Sequence, residues 1–530
     1  MFSKSAWRFL PVIAVLSAFL IWLTAAAGIG ATPDSANYLA AARAFAEHGE
    51  LTILSGKPLV WWPPLYPMAW GAFLAIGFQP FTAALGLNLL SFTAFAWAWA
   101  SIFENGLCPP RSSHRSRVWW WPWILMLACY GNLHLFAHST SEPGFLALMA
   151  WAILALIRYE PRRKPSHLIL AAVIAGAACL WRYPGVALVL AGSLFLFLRT
   201  HTWSQRFKTV AIWLTISLAP LTLWFFRNWL VAGTLTGTRN LPPYSGLTNL
   251  KASSFAVLRW LFNGPHLSRN VSLAIAGVLL LTLAAFLGTR RFSRTQGSQS
   301  RHTPPARKSS IPALVTNSGH RTSLFLICFV VIYATSSWFL ASVSFTSYPN
   351  ARLISPIMAP LMFLIAKGAI AMWGQPVKTT VLQRFLAWTT PIAALAYLAI
   401  GVVQINTERQ HGWGIHTLAW QRSPLIQAVG KLPGDARIYT NFRTELYLHT
   451  ARDRPGLPRA LSELNRFREA KRPNGIYVAW STLPKGQRKQ YGIQTLIQTL
   501  QPDSMTTFED GWLMYLAPHP KSREPGPNRP

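Results

Sequence analysis

Acid is what this chain has least of: 16 Asp and Glu stand against 49 Lys and Arg in 530 residues, and only 12% of all residues are charged. Soluble domains carry about a quarter charged residues. Together with 52% hydrophobic residues and 25 Trp, this scarcity excludes an ordinary soluble protein. Cysteine is equally sparse. Cys108, Cys129, Cys179 and Cys328 lie in or beside apolar runs with no C-x-x-C pair, so neither a disulfide framework nor a cysteine zinc site is indicated. A Gly-rich phosphate loop between a strand and a helix is missing, as is a D-x-D pair in the outer segments. The net charge of +33 does not point to nucleic acid, because the basic residues fall in short clusters between apolar runs, as the positive-inside rule describes.

What the chain does have is apolar runs of about 20 residues, the length that crosses ~30 Å of hydrocarbon. They fall near 9–30, 81–103, 119–137, 143–158, 167–181, 183–199, 209–226, 271–289, 323–342, 353–373 and 385–403. Lys4 and Arg8 before the first run also resemble a signal peptide. An uncleaved first span is preferred, because the charged segment from Asp34 would otherwise lose its anchor. Starting inside, eleven crossings put 21 of the 31 Lys and Arg before residue 404 in cytoplasmic segments. The expectation is a polytopic α-helical protein of the inner (cell) membrane, cytoplasmic at its N-terminus, with a transmembrane region over 1–403.

Within that region an outer loop, 31–80, carries an amphipathic helix candidate over Ser35–His48. It then carries Trp61-Trp62-Pro63-Pro64-Leu65-Tyr66-Pro67, leading into an interfacial or re-entrant stretch. A second outer segment, Arg227–Asn270, has the aromatic and Gly-rich composition of a functional loop. The linker 290–322 is basic and Ser/Pro-rich, and is expected to be cytoplasmic and disordered. Residues 404–517 change composition and predict a small extracytoplasmic α/β domain. Strands are expected at Ala436–Thr440, Gly475–Ser481 and Gly511–Leu516, and helices at Thr444–Thr450 and Ala460–Ala470. The tail 518–530 is expected to be disordered.

Scarcity makes the carboxylates informative. Before residue 404 there are only Asp34, Glu47, Glu50, Glu104, Glu142 and Glu160. Asp34 and Glu142 each stand at the outer end of an apolar run, where a charge is costly unless paired or used. A helix N-cap is the plain alternative for Asp34, and a helix-start charge before Pro143 for Glu142. The outer cations Lys57, Arg182, Arg227, Arg239 and Arg352 form the complementary set. Arginine offers bidentate donors to phosphate and stays charged near lipid, whereas snorkelling at the interface is the plain reading of any one of them.

The order of these motifs resembles a known family. Asp34-Ser35-Ala36-Asn37-Tyr38, then Pro63-Pro64-Leu65-Tyr66-Pro67, Ser141-Glu142-Pro143, Arg182-Tyr183-Pro184-Gly185, Arg227-Asn228-Trp229 and Arg352-Leu353-Ile354-Ser355-Pro356 are similar to sequences of GT-C glycosyltransferases. The branch is the bacterial one resembling dolichyl-phosphate-mannose protein mannosyltransferases and lipid A aminoarabinose transferases. The resemblance implies an inverting transfer of a sugar from a polyprenyl-phosphate donor to an acceptor hydroxyl on a lipid, glycan or protein. It implies Asp34 as base, Glu142 as a second acidic residue, and Arg352 near the donor phosphate. Lys57, Arg182 and Arg227 join as donor-phosphate candidates, and Tyr38, Pro63, Pro64, Tyr66 and Arg239 as substrate-loop candidates. Many relatives have Lys before the Pro-Pro pair, where this chain has Trp62, which makes Lys57 a candidate substitute. No cofactor is implied and no metal is assigned, although convergence of Asp34, Glu142 and His138 would suit a divalent ion.

A transporter or flippase of an anionic lipid-linked saccharide competes from another class. Its usual marks, paired Gly/Pro-broken spans in corresponding halves and an ionisable cluster at mid-membrane, are missing from the sequence. A scaffold is a third possibility, supported only by the C-terminal domain.

Overall fold

The computed structural model describes residues 10–107, 120–159, 165–199, 202–239, 245–261, 318–343, 351–373, 397–453, 455–458, 463–464, 467, 475–483 and 492–518. The expected span 271–289, the linker up to 317, much of the span 385–403, most of the helix 460–470 and the tail from 519 lie outside these residues; the last part of the expected linker, 318–322, is the first turn of a helix. Helices dominate. They are α1 (Leu10–Thr24), α2 (Pro33–His48), α3 (Leu65–Ala75), α4 (Pro80–Leu107), α5 (Trp120–Leu127), α6 (Tyr130–Phe136), α7 (Glu142–Arg158), α8 (Ser166–Trp181), α9 (Gly185–Arg199), α10 (Trp203–Ala232), α11 (Gly246–Leu261), α12 (Ser318–Val343) and α13 (Ala351–Trp373). A further helix covers 397–411. Among the described residues four stretches are long and apolar enough to cross a membrane: Pro80–Leu107, Trp203–Ala232, Gly319–Val343 and Arg352–Ile370.

Three expectations change. The span expected over 119–137 is broken after Leu127 into α5 and α6. The break is tolerated because the buried Asn132 amide donates to Met126 O at 2.6 Å, filling an acceptor that the interrupted ladder leaves open. The second outer segment is not a loop throughout, since α10 runs on through Arg227 to Ala232 and α11 follows. Thirdly, Asp34 does not cap α2. Thr32 is the N-cap, and its backbone N–H donates to Ser35 Oγ at 2.9 Å. Asp34 occupies the first turn, where the helix dipole favours an anion and the side chain is free to reach elsewhere.

α2 and α3 pack together around Ala36, Tyr38, Leu39, Ala42, Tyr66 and Trp70. At 11 residues α3 is about 16 Å long, too short to cross ~30 Å of hydrocarbon. Buried Asn88 on α4 donates to Phe136 O and His138 O, both at 2.7 Å. This polar anchor fixes the turn that leads into α7.

Residues 418–516 hold α14 (Leu418–Gln421), α15 (Pro424–Lys431), β1 (Ile438–Thr440), α16 (Arg443–Thr450), β2 (Ile476–Ser481), α17 (Ile493–Leu500), β3 (Ser504–Phe508) and β4 (Gly511–Leu516). The strands form one sheet of order β1-β2-β4-β3. β2 is parallel to β1 and antiparallel to β4, with Tyr477 opposite Tyr515, and β3 runs antiparallel to β4. As the alternation along β2 requires, Ile476, Val478 and Trp480 bury with Leu496, Leu500, Met514 and Leu516 on one face, while Ala479 buries with Leu425, Val429 and Phe442 on the other. Strand β3 was not expected from the sequence. Its residues are exposed at the sheet edge and show no apolar alternation.

Candidate active site

One short pairing creates the site. Gly30 and His138 form a parallel bridge, with Gly30 N–H donating to Ala137 O and Ser139 N–H donating to Gly30 O, both at 2.8 Å. Each partner stands four residues before a carboxylate. From Gly30 the chain runs into α2 and Asp34, and from His138 into α7 and Glu142. Gly30 is required by close approach, because a Cβ there would lie 2.7 Å from the His138 ring. The register of this bridge therefore delivers Asp34 and Glu142 to neighbouring helix N-termini.

Arginines from two further elements close the cluster. Arg352, at the start of α13, donates from Nε to Glu142 Oε1 at 2.7 Å and from Nη2 to Asp34 Oδ2 at 3.1 Å. Arg182, at the end of α8, reaches Glu142 Oε1 at 2.5 Å and donates to Ser141 Oγ at 3.0 Å. Exposure grades outward through the side chains, from 1% at Glu142 to 19% at Arg182, 28% at Arg352 and 36% at Asp34. Glu142 is thus a buried anion held by two cations, while Asp34 has one cation partner and an open side. Tyr333 on α12 supports the entrance of α13, its hydroxyl donating to Leu353 O at 2.8 Å.

Tyr38 lies one helical turn beyond Asp34 and is buried, its hydroxyl 3.2 Å from Ser141 Oγ. Burial pushes its phenol far above the usual value, and the Asp34 charge adds to this. It remains a neutral hydrogen-bonding group. Its ring meets Trp62 and Tyr66 edge-on, at 5.3 and 5.0 Å. Tyr66 is 1% exposed, and its hydroxyl has no hydrogen-bond partner among the described residues. Pro63 and Pro64 are buried, and Pro64 stands at the N-cap of α3. Their place is to set the turn that presents Tyr66.

The remaining predicted cations go elsewhere. Arg227 Nη1 donates to Leu59 O at 2.8 Å, and Arg239 Nη2 to Trp61 O at 3.4 Å. Between them the Tyr183 hydroxyl donates to Val60 O at 2.9 Å. Three consecutive carbonyls of the segment 31–80 are clamped in this way. Neither arginine pairs with a carboxylate among the described residues. Lys57 is not brought to the cluster: it is exposed in the turn closed by Ile53 N–H to Lys57 O, and it takes no part in the ion pairs. The suggested convergence of Asp34, Glu142 and His138 on a metal is not found. His138 Nδ1 bonds the His134 carbonyl at 2.5 Å, and among the described residues no three His, Cys, Asp or Glu side chains form a metal-binding group.

Sequence reasoning missed Asn88, Ser141, Tyr183 and Tyr333 as site-supporting residues. Asn88 carried a signal of its own, an amide inside an apolar span with no local partner, whereas Ser141 and Tyr183 stood in the motifs beside Glu142 and Arg182 without being singled out.

No family model matches the sequence, and no curated protein matches it. Among solved structures, the chain is similar to ArnT from Cupriavidus metallidurans bound to undecaprenyl phosphate, with 13% identity, 97% of this chain and 98% of that one covered, and a TM-score of 0.49. It is also similar to the archaeal oligosaccharyltransferase AglB from Archaeoglobus fulgidus in complex with an inhibitory peptide and a dolichol-phosphate (11% identity, 90% and 70% covered, TM-score 0.46). The arabinosyltransferase EmbB from Mycobacterium smegmatis is a third (14% identity, 76% and 41% covered, TM-score 0.36).

Proposed function

We propose that this chain is an inverting glycosyltransferase that moves a sugar from a polyprenyl-phosphate donor to an acceptor hydroxyl at the outer face of the membrane. One observation carries the reading. Two of the chain's few carboxylates, brought together on two arginines, are unequal: Glu142 is buried and doubly paired, whereas Asp34 is partly open. A general base needs an accessible lone pair and a fixed direction, and Asp34 has both. Glu142 serves to hold Arg182 and Arg352.

In the step proposed, Asp34 takes the proton of the acceptor hydroxyl as its oxygen forms a bond to the anomeric carbon. The bond from that carbon to the phosphate oxygen breaks on the opposite face, and the lipid phosphate leaves with the electron pair. Arg352 stabilises the growing phosphate charge, its Nη1 edge being unused by Glu142 and Asp34. Arg227 and Arg239 supply positive charge beside the clamped loop, and the Tyr66 hydroxyl offers a donor to a sugar oxygen. The cell membrane, an external C-terminal domain and undecaprenyl phosphate as the lipid belong to the same reading.

Purified protein in vesicles without any ion gradient, given a labelled polyprenyl-phosphate sugar and a panel of lipid, glycan and peptide acceptors, tests this. Release of free lipid phosphate with label in an acceptor is expected. Movement of intact donor across the vesicle wall with no cleavage sinks the transferase and leaves the flippase.

A further inference from the structure

The segment after the helix 397–411 does not run free to the sheet domain. It crosses the approaches to both carboxylates. Gly414 bridges Ala31 in parallel, with Ala31 N–H donating to Trp413 O at 3.4 Å and Ile415 N–H donating to Ala31 O at 2.9 Å. Residues 30–31 are therefore the middle member of a three-stranded patch, flanked by His138–Ser139 on one side and by 413–415 on the other. Just upstream, His416 Nδ1 bonds Ile29 O at 2.7 Å and Gln421 Nε2 donates to Ala27 O at 3.1 Å.

The same segment grips the other approach through side chains. The Trp413 ring stands edge-on to His134 at 4.4 Å and to His138 at 5.7 Å. On the helix 397–411 just before it, buried Glu408 pairs with His134 Nδ1 at 2.8 Å. Gly414 has φ +67°, and a Cβ on it would lie 1.9 Å from Ala31 O. That contact has no slack, because the obstructing atom is backbone.

We propose that residues 413–416 are positioning residues that hold Asp34 in register with Glu142, making the C-terminal segment a part of the active site. Only the kinetic half of this inference rests on reading Asp34 as the base. The physical case is that Asp34 has one side-chain partner among the described residues, Arg352, so its direction depends on the strand that delivers it. That strand is hydrogen-bonded on both sides only while the strap is in place. Misplacement of a catalytic group by about 1 Å costs on the order of 10²-fold in rate.

The test uses the full chain in lipid nanodiscs, with hydrogen–deuterium exchange alongside steady-state transfer. Gly414→Ala is expected to raise exchange in peptides covering 28–36 and 137–142 and to leave 476–516 protected. In the same variant kcat falls about 10- to 100-fold while the donor KM is unchanged. Trp413→Ala behaves likewise, and Trp413→Phe, which keeps the ring packing, restores both readouts. If Gly414→Ala does not fold, the Trp413→Ala and Trp413→Phe pair gives the same comparison. Unchanged exchange over 28–36 overturns the proposal whatever happens to kcat, and so does raised exchange with kcat intact in an active enzyme. If wild type transfers no sugar from any lipid-phosphate donor yet exchange responds as described, the positioning holds and the transferase reading fails.

Discussion

Arg182 and Arg352 end on carboxylates, whereas Arg227 and Arg239 end on peptide carbonyls, and the two regions therefore carry different charge. In the first, two cations meet two anions and the group is neutral. In the second, neither guanidinium meets a carboxylate among the described residues; each lies by a ring, Trp224 at 4.7 Å and Trp61 at 5.6 Å, and Arg227 also donates to Asn228 Oδ1 at 3.1 Å. A neutral, tightly bonded cluster fixes geometry. An unmatched pair of cations attracts an anion. The same residue type serves both ends because the partner, not the residue, sets the net field.

The largest expected effect lies in the first region. Asp34→Asn removes the proton acceptor but not the α2 cap, which belongs to Thr32, so turnover should fall about 10²–10⁴-fold with the thermal midpoint unchanged. A fully active Asn variant would remove the base from the reading. Next comes Arg352→Gln, which leaves Glu142 with Arg182 alone and Asp34 with no described cation. Donor use should weaken by roughly 2–5 kcal/mol, and Lys should rescue only partly because it lacks the planar fork. Combined with Glu142→Gln, its effect should be non-additive by about 0.5–3 kcal/mol. Strict additivity in a double-mutant cycle would show that the crossed ion pairs do not act as one group.

In the second region the effects should be smaller and of another kind. Arg227→Gln gives up a charge-assisted hydrogen bond to Leu59 O, about 1.5–3 kcal/mol at most. Its mark should be a higher donor KM with weaker salt dependence, kcat being kept. A stability loss as large as that of Arg352→Gln would erase the distinction between the regions. The smallest effect concerns pH. Where the C-terminal domain meets the outer loop, His416 stacks on Phe81 at 3.7 Å and lies 5.3 Å from His449. Burial, then the charge of His416, holds His449 at about 4, and burial also lowers His416. Both folded values lie below the unfolded ~6.5, so the unfolded state binds more protons on acidification. Docking stability should be whole above about pH 6.5 and should decline between about 6.5 and 4. Limited proteolysis of the 412–423 segment across that range would read it, and equal protection at pH 7 and pH 4.5 would contradict it.

Much of the frame was legible in order along the chain. Apolar runs gave α4, α7, α8, α9 and α13 close to their observed bounds, whereas α10 extends six residues beyond its run at each end and α12 begins five residues earlier; scarcity singled out Asp34 and Glu142. The break in 119–137 was not legible, because hydropathy is blind to which amide, here Asn132, completes a severed ladder. Lys57 was misplaced for a related reason: charge and loop membership fix which layer a residue occupies, not which way its turn faces.

By itself the sequence determined where lipid could be, which elements are helical, and how short the list of anions is, since hydropathy, periodicity and composition act over one or two turns of chain. Tertiary structure alone decided which cation meets which anion. Arg352 lies 210 residues from Glu142 and 318 from Asp34, and no local pattern encodes such a meeting. It follows from the Gly30–His138 register, from Asn88 pinning the turn before α7, and from the strap at 413–416. A buried charge is tolerated only where its partner arrives at bonding distance, so the fold had to be complete before Glu142 could be buried on two arginines with Asp34 beside them.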